Sequence, residues 1–416
     1  MEIISDLHIH GCYSRATSKQ LSFANLEKYA KIKGVNLLGT GDFTHPKWIE
    51  DIKKLKEDDS GILYSETGFP FVLQTEISLV YTQDEKGRRV HVVVLAPDVA
   101  TVLQITEYLK SKGRVDYDGR PIFKIPCDEF VESLKKINPK IEIIPAHIWT
   151  PWFSMFGSKS GFNSIKDCFK DQLKHIHAIE TGLSSDPEMN WRLSQLDPYS
   201  IVSFSDLHSF WPWRIGREAT IFEMNKLSYD NIIKALKEKS IKATIEVDPA
   251  YGKYHWDGHR KCNIVFSPKE SLKHKGICPV CKKPLTIGVE YRVEELADRD
   301  IGYKPKDAKP FHKLIPLSEL LSVMLKKGVA TNTVWKEYNT IMKGRNEFDV
   351  LLRTPEKELL KVTNAKIVDA IIKNRNNNIH VQPGYDGVYG KAIFDDSIQK
   401  EILQRVKSPQ KSLGEF

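Results

Sequence analysis

Long apolar runs are missing from this chain. No stretch of its 416 residues approaches the roughly eighteen consecutive apolar side chains of a membrane helix, so no transmembrane helix is expected. Charged and polar residues interrupt the first apolar stretch at once. A signal peptide is therefore not expected, and a cytoplasmic location without a membrane partner follows. Cysteine is scarce, with six residues. Without a secretion signal they are not expected to form disulfides. A strong charge bias is missing too: 62 Lys and Arg against 54 Asp and Glu give a net charge of +8. That tolerates a polyanionic partner without demanding one. Hydrophobic residues at 41% and aromatics at 10% are ordinary for a soluble globular protein, and the length allows two or three domains.

What is present starts at the N-terminus. The apolar run Glu2-Ile3-Ile4 leads into Ser5-Asp6-Leu7-His8-Ile9-His10. Side chains alternate along a strand, so His8 and His10 project to one side and make half a metal site. Related clusters follow later apolar runs, ending in Asp42 (with His45 as a rival), Glu76, His147, Glu180, and Asp206 with His208; His91 opens another run. Between most of them lie stretches of helical periodicity, including 21–33, 48–56, 99–112 and 128–137. Strand, ligand at its carboxyl end, helix, repeated about seven times, predicts an α/β fold of β/α-barrel type. Residues 82–89 read as a hairpin turn.

Asp6-Leu7-His8-Ile9-His10, Pro145-Ala146-His147 and Ser205-Asp206-Leu207-His208 resemble the signature of the polymerase-and-histidinol-phosphatase (PHP) domain. The resemblance implies a distorted (β/α)7 barrel holding two or three divalent ions, zinc, manganese or magnesium, for phosphoester hydrolysis. The implied ligands are His8, His10, Asp42, Glu76, His91, His147, Glu180, Asp206 and His208. The chain departs from many members in two places. Ala16 and Thr17 stand where a further histidine is common, and Asp42 stands where Asp-His is common.

Two aromatic segments adjoin these ligands. After His147 come Trp149, Trp152, Phe153, Phe156 and Phe162 around Gly157-Ser158-Lys159-Ser160-Gly161. They could form a hydrophobic mini-core under a long loop. They could instead stack a base or wedge a duplex, with Ser158 and Lys159 on a phosphate. After His208 come Trp211, Trp213, Arg214 and Arg217, suited to base and phosphate contacts unless the arginines pair with local acids such as Glu218.

Past residue 247 the pattern breaks. His259-x-x-Cys262 and Cys278-Pro279-Val280-Cys281 have the spacing of a zinc knuckle. One zinc ion is expected to fold this segment, with His255 and His274 competing with His259 for the fourth position. Residues 317–327, 334–342 and 363–373 read as helices. Gln410, Leu413 and Phe416 in the tail are similar to the peptide that docks on DNA sliding clamps. The expected division is 1–247 barrel, 248–316 zinc-binding segment, 317–405 helical domain and 406–416 tail.

With these parts joined, the chain resembles the endonuclease Q family over nearly its whole length. The residues carrying the likeness are Thr40-Gly41-Asp42-Phe43-Thr44-His45-Pro46, the zinc segment, and the run from Ile287 to Arg299. The resemblance implies nicking of double- or single-stranded DNA on the 5′ side of hypoxanthine, uracil, xanthine and abasic sites. Asp206, His8 and Glu76 are the expected catalytic centre, with Arg214 and Lys159 offsetting phosphate charge. Trp149, Trp152, Phe153 and Tyr13 are candidates for holding a flipped base or its gap. Two readings compete: a small-molecule phosphoesterase of the histidinol-phosphatase kind, and a DNA-binding protein that does not cut.

Overall fold

The first strand forms where the sequence places it. β1 (Glu2–Asp6) pairs in parallel with β2 (Leu37–Gly39), and β2 pairs in parallel with β3 (Pro70–Gln83). The computed structural model describes residues 1–394, so the expected clamp peptide at Gln410, Leu413 and Phe416 lies outside the described residues. Between β1 and β2 runs α1 (Phe23–Lys33). Ser22 caps it by accepting the Asn25 N–H, and Gly34 ends it at φ 97°, a left-handed conformation that glycine adopts without a Cβ penalty. Leu26 and Ala30 on its inner face are fully buried. A leucine in that position contributes about 1.5–3 kcal/mol.

The barrel expected from the repeat is less regular than (β/α)7. β3 and β4 (Lys86–Ala96) form a long antiparallel hairpin. The reason is local: Asp84 and Glu85 at its tip both have left-handed φ, 51° and 60°, which matches the twist of a two-residue hairpin. β5 (Glu142–Pro145) is antiparallel to β4. β6 (Ala178–Glu180) and β7 (Ser200–Val202) pair in parallel as a separate two-stranded sheet. A parallel bridge between Ile9 and Leu207 joins the end of that pair to the end of β1. On the other side β1 is antiparallel to β8 (Ala219–Glu223), which is antiparallel to β9 (Ala243–Glu246). The result is a mixed α/β structure around one large central sheet. Helices α2 (Val99–Lys112), α3 (Cys127–Ile137) and α4 (Tyr229–Lys237) pack apolar faces on it, the first two within one residue of their expected limits.

The segment expected to bind zinc is stitched into this sheet. β10 (Phe311–Lys313) returns to pair in parallel with β9, so residues 247–310 form an excursion between two neighbouring strands. The excursion carries the short hairpin Asp257–His259 with Ile264–Phe266 and the helix α5 (Val289–Leu296). The C-terminal helices are α6 (Leu317–Leu325), α7 (Asn332–Ile341) and α8 (Ala365–Arg375). They are tied to α1 by a buried ion pair. Lys33 Nζ lies 2.6 Å from Glu347 Oε1, and Tyr338 Oη donates to Glu347 Oε2 at 2.7 Å. Among the described residues no helix is long and apolar enough to cross a membrane.

Candidate active site

Strand ends converge on one buried cluster. His8 and His10 leave β1 on the same side, as alternation requires, and both are fully buried. Glu76 sits inside β3, His91 inside β4, and His147 and Asp206 just past β5 and β7. Asp42 (φ 39°), His147 (φ 31°) and Asp206 (φ 47°) all hold left-handed backbone without being glycine. Conformations of that kind concentrate where a side chain must be aimed.

Glu76 is the centre. Its Oε2 lies 3.1 Å from His10 Nε2 and 3.3 Å from His8 Nε2; Asp206 Oδ1 lies 3.0 Å from His10 Nε2. Its Oε1 lies 2.7 Å from His91 Nδ1 and 3.1 Å from His147 Nε2. Two groups of potential metal ligands therefore share one carboxylate: His8, His10, Glu76 and Asp206, and Glu76, His91 and His147. His8 Nε2 is buried without a hydrogen-bond partner, as expected of a ligand atom. Burial alone would push the His8 and His10 imidazoles down. Glu180, Glu76 and Asp206 around the first, and Asp42, Asp206 and Glu76 around the second, outweigh it and raise both well above the usual range. Burial would likewise raise Glu76, yet Arg120, His91 and His8 hold it well below the carboxylate range. Burial pushes His91 down to about 4, which leaves its imidazole neutral. Carboxylate oxygens and imidazole nitrogens converging on one point are the donor set of a divalent transition metal, whose charge would displace the protons that the carboxylates otherwise hold on His8 and His10, so the residues fit such ions.

Two expected ligands stand one layer back. Asp42 Oδ1 accepts from His10 Nδ1 at 2.9 Å, while its Oδ2 accepts from Gly11 N at 2.6 Å and Ser14 Oγ at 2.8 Å. Glu180 Oε1 accepts from His8 Nδ1 at 2.8 Å, and its Oε2 accepts the His147 N–H at 2.7 Å. A proton held on Nδ1 leaves each Nε2 lone pair facing the cluster. Ser154 Oγ does the same for His147 Nδ1 at 3.1 Å. His208 donates from Nδ1 to the Asp206 carbonyl at 2.9 Å and packs beside His10, outside both groups. His45, the rival of Asp42, stacks on Tyr13 with ring centroids 4.4 Å apart. Two polar side chains brace the loops: Asp6 accepts the Ser205 and Gly216 N–H groups, and Gln74 Oε1 accepts those of Ile9 and Gly41.

A cavity of about 470 Å³ opens from the cluster. His91, His147 and Asp206 line it, together with Trp152 and Phe153. Lys253, Tyr254, Tyr389 and Arg120 complete the lining. Sequence reading missed Arg120, Lys253 and Tyr254, whereas Tyr389 lies in the glycine- and tyrosine-rich loop 384–391, which reads either as approaching a phosphate backbone or as a tight turn. Lys253, Tyr254 and Tyr389 arrive from distant parts of the chain, and Arg120 lies in a polar stretch without periodicity. Trp152 meets Tyr254 edge-on at 5.4 Å, and Lys253 Nζ lies 4.7 Å over the Tyr389 ring.

The remaining aromatic and basic expectations fall elsewhere. Trp149 is fully buried and its Nε1 donates to Asn190 Oδ1, so its ring belongs to the core. Trp211 and Trp213 stack on each other at 5.4 Å and face Trp335 of α7. Arg217 donates from Nε and Nη2 to the Ser205 carbonyl and braces the Asp206 loop. Half-buried Arg214 sits beside it and does not line the cavity. Ser158 and Lys159 line a separate polar cavity of about 560 Å³. The backbone N–H groups of Gly157, Lys159 and Gly161, three of the five that could have wrapped a phosphate there, bond within that loop.

His259, Cys262, Cys278 and Cys281 converge as a separate group, with Cys281 Sγ 3.2 Å from His259 Nδ1. His255 is paired with Glu290 and His274 stacks on Phe266, so neither competitor takes part.

Comparison with known proteins follows this geometry. Residues 316–378 match the model of the MJ0043 C-terminal domain. The uncharacterized protein MJ0043 of Methanocaldococcus jannaschii is 37% identical over 254 residues, 59% of this chain and 31% of that protein. The chain thus matches about a third of the length of that relative. The uncharacterized protein YqxK of Bacillus subtilis is 28% identical over 94% of this chain and 99% of its own length. Two solved structures superpose over nearly everything. One is the lesion-specific endonuclease PfuEndoQ of Pyrococcus furiosus, with TM-score 0.85, 31% identity, and 99% of this chain and 100% of that one covered. The other is endonuclease Q in complex with a 27-mer duplex bearing an abasic lesion at the active site, with TM-score 0.85, 32% identity, and 96% and 98% covered. At that identity and coverage, the chain belongs to the endonuclease Q family of DNA endonucleases.

Proposed function

We propose that this protein repairs DNA by hydrolysing the phosphodiester on the 5′ side of a lesion, with abasic sites and the deaminated bases uracil, hypoxanthine and xanthine as lesions. One observation carries the reading: an aromatic-walled cavity opens directly onto two ligand groups that share Glu76. A base stacked in a duplex cannot enter such a cavity, so the damaged nucleotide would be flipped, most easily where pairing is already weak. Trp152, Phe153, Tyr254 and Tyr389 give it flat apolar faces.

His8, His10, Glu76 and Asp206 would hold one divalent ion, and Glu76, His91 and His147 a second. Bound there, the ions would lower the pKa of water and polarise the phosphate. The chain's own residues set the stage. Asp42, Glu180 and Ser154 orient the imidazoles. Asp206, a quarter exposed, turns the cluster toward the cavity. Water oxygen bonds to phosphorus, the bond to the 3′-oxygen breaks, and that oxygen takes a proton, leaving a 3′-hydroxyl and a 5′-phosphate. His259, Cys262, Cys278 and Cys281 would hold a structural zinc ion that folds their segment. We read the central sheet as a PHP barrel distorted by the β3–β4 hairpin, with the zinc excursion and the helices from residue 317 onward as its attached parts.

The test uses end-labelled duplexes carrying one uracil, hypoxanthine, xanthine, abasic site or normal base, incubated with protein and manganese or magnesium. A nick immediately 5′ of each lesion, absent from the normal duplex and lost in Asp206→Ala, is the expected result. Uncut lesion duplexes together with rapid phosphate release from histidinol phosphate would overturn it.

A further inference from the structure

Helices α2 and α3 are joined by a polar stretch that crosses the side of the cavity. Three contacts hold it in place. Asp118 Oδ1 accepts the backbone N–H groups of Arg15 at 3.3 Å and Arg120 at 3.2 Å. Asp118 Oδ2 lies 3.3 Å from Arg15 Nε. Gly119 approaches the layer behind His10 so closely that a Cβ there would stand 2.0 Å from Asp42 Oδ2 and 2.3 Å from Ser14 Oγ. Only glycine lets the chain pass at that distance. The next residue, Arg120, is thereby aimed at the cluster. Its Nη1 donates to Glu76 Oε2 at 2.9 Å, and it shares the cavity with His91, His147 and Asp206. Among the described residues, its Nε and Nη2 donate to no protein atom. The cations that sequence favoured for phosphate charge, Arg214 and Lys159, do not line this cavity.

We propose that Arg120 is a catalytic residue whose guanidinium binds a non-bridging oxygen of the scissile phosphate; this rests on the nuclease reading above. A guanidinium is a planar fork with donors on two edges. Glu76 fixes one arm, and the other faces the space where a phosphate must sit to reach the cluster. The carboxylate holds the fork in advance, so little reorganisation is needed as charge grows on the phosphate. Such preorganised donors act most strongly in a desolvated site.

The alternative is that Arg120 only neutralises Glu76. Full-length Arg120→Ala and Arg120→Lys separate the two, assayed on lesion duplexes whose scissile phosphate carries sulfur in place of either non-bridging oxygen. The expected result is a fall in kcat of about 10²–10³-fold in Arg120→Ala, with metal content and Tm unchanged. The penalty for sulfur at one of the two positions, large in the wild type, should shrink by about tenfold or more in Arg120→Ala. Arg120→Lys should recover part of kcat, because a point charge replaces the fork. A kcat within about threefold of wild type, unchanged sulfur penalties, or loss of bound metal in both variants would each overturn the assignment. Wild-type protein in the same assay keeps the failures apart. If it does not nick, the nuclease reading falls as well; if it nicks and the variants match it, only Arg120 loses its role.

Discussion

His259, Cys262, Cys278 and Cys281 come from one short stretch of chain, whereas His8, His10, Glu76, His91, His147 and Asp206 are gathered from β1, β3, β4 and the ends of β5 and β7. The first group is three sulfurs and one imidazole, has no carboxylate and lines none of the cavities described. The second contains carboxylate oxygen, shares Glu76 between two halves and has three ligands, His91, His147 and Asp206, lining a cavity. Three thiolates and one imidazole would close a tetrahedron and leave no position for a substrate. A shared carboxylate with an open side leaves room for water and phosphate. On the proposed reading, the difference separates a site that folds a segment from a site that reacts.

Replacing the shared carboxylate is the most damaging way to probe this contrast. Glu76→Gln removes charge from both halves at once, and nicking should fall by at least about a thousandfold, several kcal/mol of lost Lewis-acid stabilisation. Cys281→Ser should instead release the segment's zinc and expose residues around 257–285 to protease, with nicking reduced far less. Metal content per chain and limited proteolysis, run beside the nicking assay, decide the matter. If Cys281→Ser abolishes nicking while its segment stays protected, the division into folding and reacting sites is wrong.

A milder pair sharpens the boundary inside the reactive cluster. Asp42 and Glu180 touch imidazole Nδ1 atoms, not the point where ligand atoms meet. Asp42→Asn and Glu180→Gln should therefore cost about 10–100-fold in metal affinity or activity, the usual effect of a partner behind a ligand. A loss as deep as that of Glu76→Gln, in metal titrations as well as rate, would return either residue to the ligand set.

That boundary also marks how far the sequence could be read. His8 and His10 were legible because alternation along a strand is a local rule, and the cysteine group because its spacing is local too. A carboxylate at a strand end looks the same whether it faces an ion or the back of an imidazole, so Asp42 and Glu180 read as ligands. Short apolar runs carry no direction, which hid the antiparallel pairing of β1 with β8; the β3–β4 hairpin was visible through its turn. Trp149 and Trp152 are equally aromatic in sequence. Only packing sends the first into the core against Asn190 and the second to the cavity wall. Lys253 and Tyr254 depend on contacts over long separations and left no pattern to find.

Another buried carboxylate shows what the imidazoles and Arg120 do for Glu76. Glu218 is also fully buried, but its partners are the Leu183 and Val247 N–H groups, with Arg217 as the nearest charge of opposite sign and Glu180 and Glu246 as like charges. Burial raises it from 4.5 to about 8, the opposite direction from Glu76. Folded protein thus binds this proton more tightly than unfolded chain. The associated stability is complete below about pH 4.5, declines as pH rises and is gone above about pH 8. At roughly 1.4 kcal/mol per unit, the loss between about pH 6 and pH 8 is on the order of 2 kcal/mol. Glu218→Gln cannot ionise, so its thermal midpoint should fall less than that of wild type between those pH values. Parallel curves for the two proteins would mean that Glu218 is already ionised in the fold. The contrast with Glu76 would then owe less to the neighbouring cations than the geometry implies.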